Sequence, residues 1–382
     1  MKVLALGSGN IGSIAVRDMA GEMKSTDIIV ADKDKSRANK VVEGINRSNV
    51  SSMQLNIEDQ TELLEALKEF DLIMGFLPGA LGHTLMKACV EARKSLVDVS
   101  YMAESPMRLH TAASRAGIAI VPDCGLAPGI SNFLVGHAFN LLDKTNSVHI
   151  MVGGLPEKPI PPLGYVITWS PESLIDEYTR KAVVVKHGKK TEVEALTGIQ
   201  ETTFPKVGKL EAFYTDGLRT LSETLNGVEE MWEKTLRYPG HAEKIGLLED
   251  LGFFEEQKID VEGKSVSPRK LAAKLFERKL SSPDVKDLVV MEVVVDGIKK
   301  GERLRLTYRL LDKYDEKKGI TAMARTTAYP VSIVAQLMLK GLIKLKGIVP
   351  PEKLGMDEKI YKEFISELKK RGVRVTETKE TN

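Results

Sequence analysis

Two cysteines in 382 residues, Cys89 and Cys124, are too few for a disulfide framework or a four-thiolate metal site, and they fit a reducing compartment. Net charge is scarce as well: 55 Lys+Arg against 53 Asp+Glu leave +2, with no broad basic face for nucleic acid and no acidic tail. A bilayer span is missing. The longest stretch without Asp, Glu, Lys or Arg runs from Cys124 to Leu142 and is broken by Pro128, Gly129, Asn132, His137 and Asn140. The opening Met-Lys-Val-Leu-Ala-Leu-Gly shows no cationic segment followed by a long apolar run and a cleavage site, so a cytoplasmic protein is expected. His-x-x-x-His and Cys-x-x-Cys spacings, a calcium loop, a Gly-x-Ser-x-Gly elbow and a Walker-type lysine loop are also missing, and no metal is expected. What is there is 42 % hydrophobic residues, in a length that suggests about two to three domains.

The first third alternates short apolar runs with amphipathic stretches. Strands are predicted at Val3–Leu6, Ile28–Ala31, Met53–Leu55, Leu72–Phe76, Ser95–Val99 and Ile118–Val121. Helices fall between them, at Ile11–Met23, Ser36–Asn46, Thr61–Phe70, Leu81–Ala92 and Pro106–Arg115. Strands that are apolar throughout and alternate with helices predict a parallel sheet covered on both faces. After Asp123 the style changes. A helix at Ser131–Leu142 is followed by strand candidates at Val148–Val152, Tyr165–Trp169, Ala182–Lys186, Thr191–Val193 and Glu211–Tyr214. Leu288–Val295 and Leu304–Leu311 flank a turn read at Asp296–Gly301, and helices are placed at Glu172–Tyr178, Ala242–Leu251 and Pro268–Arg278. This composition predicts a separate α+β domain with a largely antiparallel sheet. Long helices return at Thr327–Leu342 and Asp357–Arg371, and the polar end Thr376–Asn382 reads as frayed.

Gly7-Ser-Gly9-Asn10-Ile11-Gly12 follows the first strand and opens a helix, the context in which this glycine pattern binds a dinucleotide. Gly7 permits the tight turn, Gly9 lets backbone approach a pyrophosphate, and Gly12 allows helix–strand contact; the helix N-terminus offers N–H groups to the phosphates. Asp32 ends the second strand, where a carboxylate accepts ribose hydroxyls and repels a 2′-phosphate, favouring NAD; Lys33 and Arg37 blur that preference. Phe76-Leu77-Pro78 ends the fourth strand, where the nicotinamide ribose rests. The fold class is therefore α/β: a Rossmann doubly wound parallel sheet plus a second α+β domain. Residues 1–123 and 325–382 are expected to form the NAD-binding domain, and 124–324 a substrate-binding and oligomerisation domain.

Val97-Asp98-Val-Ser100-Tyr101 and Val121-Pro-Asp123-Cys-Gly125 end the next two strands and belong beside the nicotinamide, although Asp98 alone reads equally as a helix cap. The second domain offers polar clusters at Asp216-Gly-Leu-Arg219-Thr220, Arg237-Tyr-Pro-Gly-His241 and Ala324-Arg325-Thr-Thr327. An arginine in a pocket can hold a substrate carboxylate by two parallel hydrogen bonds. His241 follows a Pro-Gly break and reads either as a proton exchanger at a helix start or as a cap or packed residue. Cys124 lies near this chemistry but reads as a small buried hydrophobe.

Taken together, the Gly7–Gly12 loop, Val97–Tyr101 and Pro122-Asp-Cys-Gly-Leu-Ala-Pro-Gly-Ile-Ser-Asn132 resemble the saccharopine dehydrogenase-like superfamily. Val152-Gly-Gly-Leu-Pro156, Ile167-Thr-Trp-Ser170, Asp216–Arg219, Leu236–Lys244 and Met323–Tyr329 are most similar to the lysine 6-dehydrogenases, archaeal type, over almost the whole chain. The resemblance implies NAD-dependent oxidation of the ε-amino carbon of L-lysine with release of ammonia. On that reading Tyr101, Asp98 or His241 handles the proton, and Arg219 or Arg237 takes the α-carboxylate with Thr220 and Asp123 lining the substrate. Ser100 and Gly125 join the cofactor contacts. The alternatives are a saccharopine or carboxynorspermidine dehydrogenase acting on a secondary amine, and a nucleotide-binding sensor. A homodimer or larger assembly built through the second domain's sheet is expected, with a small amino-acid substrate and neither nucleic acid nor membrane as partner.

Overall fold

The first 141 residues alternate strand and helix: β1 (Lys2–Leu6), α1 (Asn10–Glu22), β2 (Asp27–Asp32), α2 (Lys35–Ile45), β3 (Val50–Gln54), α3 (Gln60–Lys68), β4 (Leu72–Gly75), α4 (Gly79–Glu91), β5 (Ser95–Asp98), α5 (His110–Arg115), β6 (Ala119–Val121) and α6 (Ile130–Leu141). This is a computed structural model that describes residues 1–282 and 285–381. The helices start where short side chains accept N–H groups: Asp34 caps α2 through Ser36, and Asp59 caps α3 through Thr61 and Glu62. The six strands and β17 (Gly347–Ile348), which joins beside β6 from late in the chain, pair in parallel in the order β17-β6-β5-β4-β1-β2-β3, so the order reverses between β1 and β4. Val3, Leu4, Ala5 and Leu6 are all buried, as strands covered on both faces must be. Leu4, Leu6, Ile73, Leu85, Leu96 and Ile120 anchor the core between sheet and helices.

A second sheet follows. It is built from β7 (Lys144–Pro156), α7 (Pro171–Thr179), β8 (Ala182–Lys186), β9 (Lys189–Val193), β10 (Gln200–Phe204), β11 (Gly208–Tyr214), α8 (Leu221–Thr224), β12 (Glu230–Arg237) and α9 (His241–Asp250). A short hairpin, β13 (Ile259–Val261) and β14 (Lys264–Val266), precedes α10 (Pro268–Leu280) and the long pair β15 (Asp287–Lys299) and β16 (Glu302–Lys313). The chain then runs through α11 (Ala322–Leu339), β17 (Gly347–Ile348), α12 (Pro351–Gly355), α13 (Glu358–Lys370) and β18 (Val375–Thr381). The strand order is β10-β11-β12-β7-β15-β16-β18, with β8 and β9 branching from β12. Every pairing in it is antiparallel except β12 with β7, so the second sheet is largely antiparallel. Helices α7, α9 and α10 share a core with it through Leu174, Tyr178, Phe213, Ile245 and Phe276.

The chain divides into a unit of Met1–Asn140 with Ala324–Arg374 and a unit of Leu141–Met323 joined by the chain end from Val375. Both edges differ from the sequence expectation. Residues 124–140 belong with the first sheet, because α6 stacks Phe133 on Phe364 of α13 at 3.8 Å and Asn132 donates to Glu352 of α12 at 3.1 Å. The chain end is not frayed: Val375–Thr381 pairs along β16, so 375–381 leaves the first unit for the second sheet. Asn382 lies outside the described residues. Tyr165–Trp169 is not a strand; its side chains turn into the helix-covered core, and Trp169 Nε1 donates to Tyr165 Oη at 3.0 Å. The turn read at Asp296–Gly301 is narrower: β15 bulges between Asp296 and Gly297 and continues to Lys299. β10 and β12 had no counterpart in the sequence reading.

Candidate functional site

In the first unit, β1 delivers the chain into the Gly7–Gly12 loop at the point where strand order reverses, the position at which open α/β sheets bind ligands. Gly7 has φ 108°, which a side chain disfavours, and its N–H donates to Ala31 O at 2.8 Å. A Cβ at Gly12 would collide with the Gly7 carbonyl and press on the Phe76 ring, so that position admits only hydrogen. Around Gly9 nothing lies within 4 Å of where a Cβ would be. Helix α1 has no side-chain cap at Gly9, so its leading N–H groups face that open space.

Asp32 completes the cradle. Its Oδ2 accepts Ser8 N at 3.0 Å and Ser8 Oγ at 2.6 Å, and its Oδ1 accepts Asp34 N at 3.0 Å. Burial raises the pKa of this carboxylate, but the hydrogen bonds from Ser8 and Asp34 and the nearby Arg37 outweigh burial and hold it below its ordinary value. Asp32 is therefore an anion at the end of β2, while Lys33 and Arg37 beside it are exposed. Phe76 is half-buried after β4 with its N–H on Leu6 O at 2.9 Å, Leu77 is half-buried and Pro78 exposed. The uncapped loop, the open space at Gly9 and the charged Asp32 fit a dinucleotide. Asn10 and Ile11 open α1 and supply backbone rather than side chain to that fit.

The ends of β5 and β6 bring Asp98, Ser100, Asp123 and Cys124 together. Asp98 is fully buried; its Oδ2 accepts Ser100 N at 2.9 Å and its Oδ1 accepts Ser100 Oγ at 3.0 Å. Burial, with Asp123 adding repulsion, pushes the Asp98 carboxyl up to about 7 against the Ser100 hydrogen bonds. Cys124 N donates to Asp98 O at 2.9 Å, and burial pushes its thiol far up, which makes it inert. Asp123 is buried in a left-handed conformation, φ 50°. Ser100 is thus spoken for by Asp98, whereas Tyr101, half-buried after β5, and Gly125, beside Thr327, border the same strand ends. The Arg325 cluster belongs to this unit, on α11, and not to the second one.

In the second unit α7 presents Asp176, Glu177 and Tyr178, with Arg180 just past its end, none of which the sequence singled out. Arg237, buried on β12, donates from Nη2 to Glu177 Oε1 at 2.8 Å, and its guanidinium lies 4.5 Å from the Tyr165 ring centroid. That commits Arg237 to a protein carboxylate, against its expected role with a substrate one. His241 is buried at the first turn of α9, with Nδ1 on Leu163 O at 2.9 Å and Nε2 on Tyr178 Oη at 2.8 Å. A carbonyl only accepts, so Nδ1 carries the proton and Nε2 accepts from the phenol. Burial, with Arg237 and Lys244 adding to it, pushes this imidazole down to about 3. Both nitrogens are engaged, and the expectation of a proton exchanger near neutrality has no support in this geometry.

Arg219 keeps its place beside its cluster. It adopts φ 49° after β11, and its Nη1 lies 3.4 Å from Asp216 Oδ2, which Arg180 Nη1 also reaches at 3.5 Å. Arg180 and Arg269 in turn meet on Asp176. These three guanidiniums and two carboxylates form a cationic group at the end of α7. The buried hydroxyl of Thr220 has no hydrogen-bond partner among the described residues. Burial pushes the neighbouring Glu233 carboxyl well up, and Thr215 Oγ1 lies 2.6 Å from it. The signal for α7 was present in Asp176-Glu-Tyr-Thr-Arg180, but only the fold sets it against Asp216 and Arg237.

Two family models match this chain: the saccharopine dehydrogenase NADP binding domain over residues 3–121 and the saccharopine dehydrogenase C-terminal domain over residues 125–373. Among curated proteins, saccharopine dehydrogenase [NADP(+), L-glutamate-forming] of Schizosaccharomyces pombe is 25 % identical, covering 98 % of each chain. The alpha-aminoadipic semialdehyde synthase of Arabidopsis thaliana is 24 % identical over 94 % of this chain, which spans only 41 % of that protein. The carboxyaminopropylagmatine dehydrogenase of Synechocystis is 20 % identical over 93 % of each. The apo saccharopine dehydrogenase (L-Glu forming) structure from Saccharomyces cerevisiae superposes with TM-score 0.79 over 99 % of both chains at 21 % identity, a shared fold.

Proposed function

The chain belongs to the saccharopine dehydrogenase family, and from that premise we propose that it oxidises the ε-amino carbon of L-lysine with NAD as acceptor. The observation that carries the reading is the Gly7–Gly12 cradle with the anionic Asp32 at its edge, beside strand ends that carry a buried acid poised near neutrality. Backbone N–H groups of the loop and α1 would hold the pyrophosphate, Asp32 the ribose, and Phe76, Leu77 and Pro78 the nicotinamide end. The bound dinucleotide supplies the acceptor for the hydrogen and electron pair that leave the amine carbon. The family model's name and the yeast relatives point to NADP, and the exposed Lys33 and Arg37 supply cations that a 2′-phosphate needs. The charged Asp32 favours NAD, because a second anion there is repelled.

Carbon–hydrogen cleavage needs a neutral amine, so a proton must leave the ammonium first. Asp98, with its carboxyl near 7, exchanges a proton at neutral pH, and Tyr101 offers a phenol at the same strand ends. Asp123 supplies the second carboxylate for the substrate. In the second unit, Arg219 and Thr220 are the candidates for a substrate carboxylate, Arg219 with its Nη1 3.4 Å from Asp216 Oδ2. A secondary-amine substrate is the second reading. The saccharopine and carboxyaminopropylagmatine dehydrogenases that this chain matches at nearly full length favour it.

A panel of L-lysine, saccharopine and carboxylated polyamines, assayed with NAD and with NADP for reduced-nicotinamide absorbance, tests this. L-Lysine with NAD is expected to turn over. Turnover of saccharopine or a carboxy-polyamine alone replaces the substrate, and dinucleotide binding without turnover of any amine replaces the enzyme with a sensor.

A further inference from the structure

The Gly7–Gly12 loop is zipped to the end of β2. Gly7 N donates to Ala31 O at 2.8 Å. The next residue, Ser8, is buried and donates twice to Asp32 Oδ2, from its backbone N at 3.0 Å and from its hydroxyl at 2.6 Å. From the other side, the turn into α2, Asp34 N reaches Asp32 Oδ1 at 3.0 Å. A carboxylate offers about four acceptor positions. Among the described residues three of them are taken at Asp32, two on Oδ2 and one on Oδ1. The side chain is held between loop and turn, and it cannot swing without giving up bonds on one side or the other.

A carboxylate without such partners takes the two hydroxyls of a ribose on its two oxygens. Here Oδ2 has no position left and Oδ1 has one, so a second acceptor must come from elsewhere. The Ser8 oxygen is that acceptor. A serine hydroxyl carries a single proton, and this one is committed to Oδ2, so toward any further group the oxygen can only accept. We infer that Ser8 is a specificity-determining residue of the dinucleotide site: Ser8 Oγ and Asp32 Oδ1 together accept the two hydroxyls of the adenine-side ribose, and the bond from Ser8 to Asp32 turns a 2′-phosphate away. A diol brings a proton for each acceptor. A 2′-phosphate brings negative charge and no donor, and both oxygens refuse it. Lys33 and Arg37 are exposed beside this pair, and they serve a phosphate only where Asp32 is released from the loop. The inference rests on the dinucleotide reading above and gives a role to a loop position that the glycine pattern leaves open.

Calorimetric titration of the full chain with NAD and with NADP, without any amine, gives the ratio of their dissociation constants for the wild type, Ser8→Ala, Asp32→Ala and the double variant. Ser8→Ala is expected to weaken NAD about fivefold and NADP by less than about twofold, so the preference for NAD narrows. Retained NADP affinity also shows that this variant is folded. Added to Asp32→Ala, the same substitution is expected to leave the ratio unchanged, because a hydroxyl released from the carboxylate serves a ribose hydroxyl and a phosphate alike. NAD preference with a ratio that Ser8→Ala does not move overturns the inference alone. Tighter NAD binding, equal loss of both dinucleotides as damage to the loop gives, or the same narrowing without Asp32 does so too. A wild type that favours NADP overturns the NAD reading together with the inference, and one that binds neither dinucleotide overturns the nucleotide site itself.

Discussion

Asp98 ends β5 as a buried carboxyl with both oxygens accepting from Ser100, and burial lifts it to about 7 from an ordinary value near 3.8. The folded protein therefore holds a proton that the unfolded chain releases. The stability this brings is present below the unfolded value and is lost as pH rises through about 7. An Asp98→Asn variant, neutral at every pH, is expected to match the wild type near pH 4 and to exceed it by ~2–4 kcal/mol near pH 8 in denaturant unfolding. Parallel curves would show that Asp98 ionises normally. His241 has the opposite sign: pushed down to about 3 from 6.5, it supports the fold above the unfolded value and withdraws that support as pH falls through both. His241→Gln should lower stability by ~1–3 kcal/mol through its lost bonds to Leu163 and Tyr178, and leave the shape of the pH–rate profile near neutrality unchanged. Disappearance of a neutral limb in that profile would return His241 to the list of proton handlers. The sequence made Asp98 visible as a strand-end acid, but its titration comes from burial, which no local pattern records. It made His241 visible for the wrong reason, since Leu163 and Tyr178 lie 78 and 63 residues away.

Elements built from local signals were legible: glycine and short-polar starts, helical spacing and apolar strands placed six of the seven strands of the first sheet and the helices between them, but not the two-residue β17. β12 was not, because Glu230-Met-Trp-Glu-Lys-Thr-Leu-Arg237 alternates charge with bulk like a solvated strand or loop. Three of its four charges are buried and answered from elsewhere, Glu233 by Thr215, Lys234 by Gly198 O and Gln200, and Arg237 by Glu177. β18 was missed for a related reason. Val375-Thr-Glu-Thr-Lys-Glu-Thr381 has almost no apolar surface and is a strand only because β16 offers a partner over seven residues. Ending the chain after Arg374 should bare the β16 edge, lower the thermal midpoint and raise light scattering with protein concentration. An unchanged midpoint would mean that the pairing contributes nothing in solution. α1 is fastened in the same long-range way: Asp18 on it accepts Arg371 Nε at 2.8 Å and Ser332 Oγ at 2.6 Å, from segments more than 300 residues on. That bond gives the dinucleotide helix a support whose sequence position suggests no connection to the loop.

For the molecule as a whole, the two cysteines that opened the reading are both buried, with thiols pushed up by burial, and neither takes part in the chemistry proposed. The near-balance of charge resolves into local groups: a cationic cluster at the end of α7 and an anion at Asp32. By itself the sequence determined the α/β class, the parallel sheet with its dinucleotide loop and the family. Each of these is written in propensities, glycines and spacings that act over a few residues to a turn or two. Only the tertiary structure decided that the chain end joins the second sheet, that α6 stays with the first, that Arg237 and His241 are buried partners of α7, and that Asp98 titrates near neutrality. Those outcomes depend on which distant segment supplies the hydrogen bond, the counter-charge or the cover, and pairing of that kind is settled by packing rather than by neighbours in the chain.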